Sequence, residues 1–416
     1  MSSTSVETTN LAAGQTARTG LLQSLARRGL LAKLHNMQWG RLELVDGEQR
    51  FSFGQTCADF PEPVRVTIHH PEFYADAAFG GTIGVGESYM LGHWQCDNLV
   101  GLMRIMLANR RVLDEIDSGS ARLKKPFLKL FHWLHRNTVK GSRRNIHAHY
   151  DLGNDFFRHF LDDTLMYSSA VFDSDDTDLK TASIAKLDRI CQKLELKPGD
   201  HVLEIGTGWG GFAIHAATHY GCRVTTTTIS AAQYELAKQR IAEAGLAGRV
   251  TLLQEDFRNL QGQYDKIVSI EMIEAIGERN IGQFFAICDR ALKPGGRMLL
   301  QAITIREQLF ASYRKSVDFI QRYIFPGGFL PSIKFLEQEM GAKSSLSTLH
   351  LEDIGQHYAT TLRHWRKNFH HNGQGIRQLG FSDQFMRMWE FYFCYCEAGF
   401  LARTTGDVQM LLEKDR

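Results

Sequence analysis

Two acids stand inside an apolar run at "SIEMIEAIG" (269–277): Glu271 and Glu274. A buried carboxylate is costly unless something binds or neutralises it. The pair therefore marks a place where the chain has something to hold. A third acid, Glu204, lies in "VLEIGTGWGG" (202–211), two residues before the first glycine of a G-x-G-x-x-G match made by Gly206, Gly208 and Gly211. Such glycines let backbone approach a ligand, and the helix they open favours negative charge at its N-terminus. A dinucleotide fold normally keeps its strand apolar at position 204 and ends the next strand in an acid that grips ribose. Here the next strand ends in "TTTTIS". A carboxylate at 204 suits a cationic group instead, such as the amino group of methionine. Further on, "LLQEDF" (252–257) puts Asp256 and Phe257 at a third strand end, placed to hydrogen-bond and cover an adenine. Asp256 alone reads as a solvated loop acid; in register with the first motif it reads as a ligand.

The elements that must position these residues follow from periodicity. From about 200, "HVLEIGTG", "CRVTTTTI", "VTLLQED", "YDKIVSIEM" and "RMLLQAI" read as strands, with helical stretches between them. That alternation predicts an α/β fold, a doubly wound, mostly parallel sheet. Upstream, "GRLELVDGEQRFSFG" (40–54) alternates around an Asp-Gly pair and predicts a hairpin. "VRVTIHH" reads as another strand and "LVGLMRIMLANRRVLDEI" (99–116) as an amphipathic helix. The expected organisation is a disordered tail (1–20), a small α+β domain (21–120), a basic linker (121–144) and a catalytic domain with helical additions (145–416). The 416 residues suit two domains.

Composition narrows the class. The net charge of +2 makes no global case for nucleic acid. Seven scattered cysteines show no zinc spacing, no metal is expected, and a reducing compartment is the simplest reading. No run reaches the ~18 apolar residues that span a bilayer. One local feature stands out: from Arg122 to Arg144 there are eight Lys/Arg and no Asp/Glu, with Phe127, Leu130, Phe131 and Leu134 at helical spacing. It reads as a solvated linker face, as a surface for anionic lipid headgroups, or as a nucleic-acid contact that nothing else in the chain supports. The expected location is cytoplasmic, peripheral to the inner face of the membrane.

Glu204 with its glycines resembles the first motif of class I S-adenosylmethionine-dependent methyltransferases. "HYDLGNDFFRHFLDDTLMYSSAVF" (149–172), "IGTGWGGFA", "TISAAQ", "YIFPGGFLPS" and "HYATTLRHW" are similar to motifs of the cyclopropane-fatty-acid synthase family. The resemblance runs from about 145 to the C-terminus, and "GESYMLGHWQCDNL" (86–99) extends it to the longer bacterial members. It implies methyl transfer from S-adenosylmethionine to a cis double bond of an unsaturated phospholipid acyl chain, closing a cyclopropane, with a homodimer as the assembly. It also implies a cofactor shell of Tyr167, Ser168, Glu204, Gly206, Gly208, Gly210, Thr228, Gln233, Asp256 and Phe257. A bicarbonate that serves as base would be held by Glu274, Ile303 and Tyr358. Three positions depart from the family: Ser169 replaces a cysteine, Gln301 a histidine, and Ala275 the histidine after the glutamate. Ser169 and Gln301 can still bind an anion but do not titrate near neutral pH.

Glu274 is therefore expected to organise the base, where Ser169, Gln301 and Tyr358 converge on one small anion. Glu271 is expected either to support the cofactor, to cap a helix, or simply to end a strand. Some of Phe325, Phe329, Trp365, Tyr392 and Tyr395 are expected to line an acyl groove. The alternatives are the same transfer ending in a methylene or methyl branch, a small-molecule methyltransferase, and a lipid-binding protein without activity.

Overall fold

The computed structural model describes residues 21–114 and 152–416. The tail (1–20), the basic segment (121–144) and the first residues of the 149–172 motif lie outside the described residues.

The amino-terminal unit opens with α1 (Leu21–Leu34), then β1 (Leu42–Asp46), β2 (Gln49–Phe53), β3 (Val64–Ile68), α2 (Glu72–Met90), β4 (Trp94–Cys96) and α3 (Leu99–Ala108). β1 and β2 form the hairpin expected around Asp46-Gly47, where Gly47 takes φ +60°. Its four strands run in the order β2-β1-β3-β4. Alternation places Leu42, Leu44, Val64 and Val66 inward.

The larger part begins with α4 (Asn154–Arg158) and α5 (Leu179–Lys193). It then alternates β5 (His201–Ile205), α6 (Gly211–His219), β6 (Arg223–Thr227), α7 (Ala231–Glu243), β7 (Val250–Leu253), β8 (Tyr264–Ile270), α8 (Ile281–Ala291) and β9 (Leu292–Ile305). Helices α9 (Glu307–Tyr313), α10 (Phe319–Tyr323) and α11 (Ile333–Lys343) follow. β10 (Leu346–Asp353), α12 (Gly355–His371), α13 (Gly373–Gln378), α14 (Asp383–Leu401) and β11 (Thr405–Lys414) complete the chain. The sheet order is β10-β11-β9-β8-β5-β6-β7. Strands β5 to β9 pair parallel, and β11 is antiparallel to both neighbours. This is the doubly wound, mostly parallel sheet that the alternation predicts. Helices cover both faces of the sheet, so the apolar runs at Val202–Leu203, Ile267–Val268 and Leu299–Leu300 have no exposed surface. Polar residues that interrupt such runs, as Glu204 and Gln301 do, therefore become buried.

The two parts share one hydrophobic core, which runs from Leu30 and Leu44 through Phe156 to Trp389 and Phe400. Helix α14 joins them. Its Arg387 donates to the carbonyls of Tyr89 (2.5 Å) and Trp94 (2.9 Å), and lies 4.1 Å from the centre of the Tyr89 ring. Tyr89 in turn donates its hydroxyl to Glu390. At Gly86 a Cβ would come within 2.6 Å of Phe319, so only glycine allows α2 this approach. Among the described residues no helix is long and apolar enough to cross a membrane.

Candidate active site

The carboxyl ends of the parallel strands face one cavity of about 850 Å³. Its first end is the turn after β5. Gly206, Gly208 and Gly210 take φ of +106°, +53° and +86°, which side chains rarely adopt. Space is open where a Cβ on Gly208 would stand, so the backbone is bare toward the cavity. Gly210 caps α6 and lies behind the wall rather than in it. Glu204 is 2% exposed and accepts a bond from Thr226 Oγ1 (2.6 Å). Burial pushes its carboxyl up to about 8, against the Thr226 bond and the charge of Lys186. A buried acid so close to neutralisation is one that a cationic ligand would return to its charged form.

The other expected shell residues gather at this end. Thr228 donates to Gln233 Oε1 (2.9 Å), and Gln233 is aligned by the Ser230 cap of α7. Asp256 is gripped by Arg258 through Nε and Nη2, both at 2.7 Å. Phe257 lies under the same guanidinium. Tyr167 meets the Tyr392 hydroxyl at 3.0 Å, and Ser168 accepts from Lys186 Nζ (2.7 Å). The donor set, the open glycine backbone and the buried acid fit a nucleoside with a cationic amino-acid tail.

At the middle of the cavity the arrangement differs from expectation. Ser169, Gln301 and Tyr358 do converge, but on Glu271 rather than beside Glu274. Glu271 Oε1 accepts from the Ser169 N–H (2.8 Å) and Gln301 Nε2 (2.7 Å); Oε2 accepts from the Tyr358 hydroxyl (2.7 Å). The cause is local. The Glu271 N–H extends the β8–β9 ladder by donating to the Gln301 carbonyl (2.9 Å), and then φ turns to +47°. A non-glycine residue in that region costs roughly 1 kcal/mol or more. The reversal swings the carboxylate into the cavity. Glu271 caps no helix.

Glu274 sits on the short turn Ile273–Ala275. Its Oε1 accepts from the Ile303 N–H (2.5 Å), and its Oε2 is buried without a partner. Burial, then the Glu271 charge, pushes its carboxyl up to about 8. At neutral pH it is mainly the neutral acid. Ser169 and Gln301 have no exposed surface and do not line the cavity. The Ser169 hydroxyl, expected on an anion, donates to the Ala170 carbonyl instead (3.0 Å).

Two further buried groups escaped the sequence reading. Lys186 on α5 has no exposed surface, and burial lowers it to about 8 against the pull of Glu271, Asp407, Asp162 and Glu204. It lies on the buried stripe Leu179, Ala182, Ser183, Leu187 and Ile190, and a lysine on such a stripe was the available signal. Asp407 on β11 shares Gln301 Nε2 (3.2 Å), and its Oδ1 has no partner. Burial and the Glu271 charge raise Asp407 well above the carboxylate range. Burial raises Glu271 too, opposed by the Ser169 N–H, Tyr358, Lys186 and Gln301. With three donors against one, Glu271 carries the charge and Asp407 the proton.

The far end is apolar. Phe325, Phe329, Tyr392 and Tyr395 line the cavity as expected, with Phe325 and Tyr392 beside Tyr167, and an apolar extension continues between Leu44, Phe73, Ile83 and Leu102 of the amino-terminal unit. Trp365 is not in the wall; it packs behind Tyr358 (5.9 Å between rings). Outside the cavity wall, but next in sequence to its lining residues Phe73 and Trp94, His70, Glu72 and His93 bring ligand atoms within 4.8 Å of one another.

Comparison with known proteins shows the family. Residues 137–410 match the family described as mycolic acid cyclopropane synthetase. A tuberculostearic acid methyltransferase of Mycobacterium tuberculosis is 39% identical, over 83% of this chain and 82% of its own. The cyclopropane-fatty-acyl-phospholipid synthase of Escherichia coli is 37% identical, over 84% and 86%. A crystal structure of a mycolic acid cyclopropane synthase complexed with SAH and CTAB superposes with a TM-score of 0.62 at 32% identity, covering 65% of this chain and 98% of that one.

Proposed function

The chain belongs to the mycolic acid cyclopropane synthetase family and is an S-adenosylmethionine-dependent methyltransferase of lipids; from that premise we propose that it methylates the cis double bond of unsaturated phospholipid acyl chains and closes a cyclopropane. One observation carries the reading. A single cavity joins the glycine turn to an apolar channel that enters the amino-terminal unit, with the Glu271 carboxyl group in its wall. An acyl chain lying in that channel would bring its double bond past Glu271 toward the turn.

S-adenosylmethionine supplies an electrophilic methyl when bound. The residues that would hold it are Glu204 and the glycines at the amino-acid end, with Gln233, Asp256 and Phe257 at the nucleoside end. An alkene is a weak nucleophile, so alignment carries much of the rate. The walls of Phe325, Tyr358 and Tyr392 exclude water that would trap a carbocation, and their ring faces stabilise one. Tyr358 stays neutral because burial, with Glu271 beside it, raises its hydroxyl well above the usual range.

The name of one relative, tuberculostearic acid methyltransferase, favours a second product on the same route. A hydride shift before proton loss gives a methylene branch, which a later reduction makes a methyl branch. A bound bicarbonate has no part in the proposed routes, since Glu271 takes the Ser169 N–H, Gln301 and Tyr358, and Glu274 takes the Ile303 N–H. The expected division into an amino-terminal unit and a catalytic unit, a homodimer, and a peripheral place at the inner membrane face complete the proposal.

The test is to incubate the protein with S-adenosylmethionine and vesicles of a dioleoyl phospholipid, then examine the released fatty acids. Ring and methylene isomers have equal mass, so proton magnetic resonance must separate them, ring hydrogens appearing far upfield. Unchanged acyl chains with no cofactor consumed would leave only lipid binding.

A further inference from the structure

Glu271 occupies a position that carries a structural cost. Its backbone sits at φ +47°, where glycine would be at ease. Its side chain has no surface polar role, yet a backbone N–H, an amide and a phenol from three separate segments are all directed at it. Strain kept in place by such a set of partners points to a use for the group. It lines the cavity between the glycine turn and the apolar channel, whereas Ser169, Gln301 and Asp407 stand behind it. We propose that the Glu271 carboxylate is the general base of the reaction, built into the chain, so that turnover needs no added anion.

This rests on the methyl-transfer reading above. There, the new C–C bond forms as the bond from sulfur to methyl breaks, with that electron pair staying on sulfur. A cation is left on the neighbouring alkene carbon. Glu271 takes a proton from the transferred methyl, and the released C–H pair forms the second C–C bond of the ring. The proton rests on Glu271 until product leaves and water collects it. The groups that face Glu271 suit this cycle. Tyr358 and Gln301 hold the ionised carboxylate, Lys186 balances its charge, and Asp407 and Glu274 are neutral acids that do not repel it. Burial raises its proton affinity and makes it a stronger base than an exposed glutamate. Ser169 and Gln301 are positioning residues that act through it.

Full-length protein, S-adenosylmethionine and dioleoyl phospholipid vesicles are assayed in buffer freed of carbon dioxide, with and without bicarbonate. Wild-type turnover is expected to be equal in the two. Glu271→Gly suits the backbone and opens the donor cluster. It should bind S-adenosylmethionine normally by calorimetry, lose about a hundredfold or more of turnover, and regain activity saturably with bicarbonate or formate. Glu271→Gln fills the space and should not be rescued. Wild-type turnover that collapses without bicarbonate would overturn the proposal, and that measurement needs no variant to fold. Full activity of Glu271→Gly without an anion would overturn it as well. Acyl chains left unmodified by wild type under every condition would instead remove the methyl-transfer reading itself.

Discussion

The two ends of the reaction chamber are built in opposite ways. At the glycine turn, six consecutive residues (204–209) line the cavity, and the backbone meets it at φ values that only glycine holds without strain. Around Glu271 the site is assembled from a loop (Ser169), a strand end, the neighbouring strand (Gln301), a second neighbour (Asp407) and two helices (Lys186, Tyr358). The first kind of site tolerates no change of residue at its centre. The second can exchange parts, because a carboxylate needs donors of suitable geometry rather than particular side chains. Ser169 illustrates this: what it offers Glu271 is its N–H, which any residue but proline would supply.

The largest expected effect is at the turn. A Cβ on Gly206 would lie 3.0 Å from Met272, at a φ of +106°. Gly206→Val should lower S-adenosylmethionine affinity about a hundredfold or more, since overpacking typically costs ~1–3 kcal/mol and a β-branched residue at positive φ adds strain. Unaltered affinity by calorimetry would mean the turn is not where the cofactor meets backbone.

Next comes the contrast within the carboxylate cluster. Glu271→Gln should cut turnover about a hundredfold while leaving cofactor affinity alone. A variant whose whole defect is in binding would make Glu271 part of the first end, and the comparison would break.

Lys186 sharpens the electrostatic side. Its folded value of about 8 lies below the ordinary 10.5, so between those values the folded chain binds fewer protons than the unfolded one. Stability contributed by this group therefore rises with pH across that window, by at most ~1.4 kcal/mol per unit. Lys186→Met should flatten the rise, read as Tm from pH 8 to 10 in the two proteins. An identical slope would contradict the burial of a charged lysine against Glu271 and Glu204.

The smallest effect belongs to Glu274. An acid held near 8 is mostly neutral at pH 7, and glutamine imitates it. Glu274→Gln should change turnover by less than about threefold, or under ~1 kcal/mol. A loss as large as that of Glu271→Gln would return the base to the position the sequence first suggests.

The same contrast explains what could be read in advance. The strands, the hairpin at Gly47 and the acid-plus-glycine turn are local patterns, and each stands where periodicity puts it. The set Ser169, Gln301 and Tyr358 was legible through family resemblance, but its centre was not. Nothing local in "SIEMIEAIG" tells that the chain reverses at Glu271 and sends that side chain, not Glu274, into the cluster. Lys186 left only the trace of a lysine on an apolar helix stripe, and Asp407 looks like an ordinary strand charge until α5 and strands β8, β9 and β11 bring the cluster together. The docking of α14 on α2 through Arg387 and Tyr89 joins residues 298 apart in sequence and leaves no local trace.

The most direct measurement uses S-adenosylmethionine with a fully deuterated methyl group and dioleoyl phospholipid vesicles. If the transferred methyl surrenders a deuteron to Glu271, the acyl chain gains a ring carbon that has lost one deuterium, and Glu271→Gln cuts that product about a hundredfold. A chain carrying the methyl with all its deuterium, or label that never enters the acyl chain, would contradict a base at Glu271 acting on the new carbon.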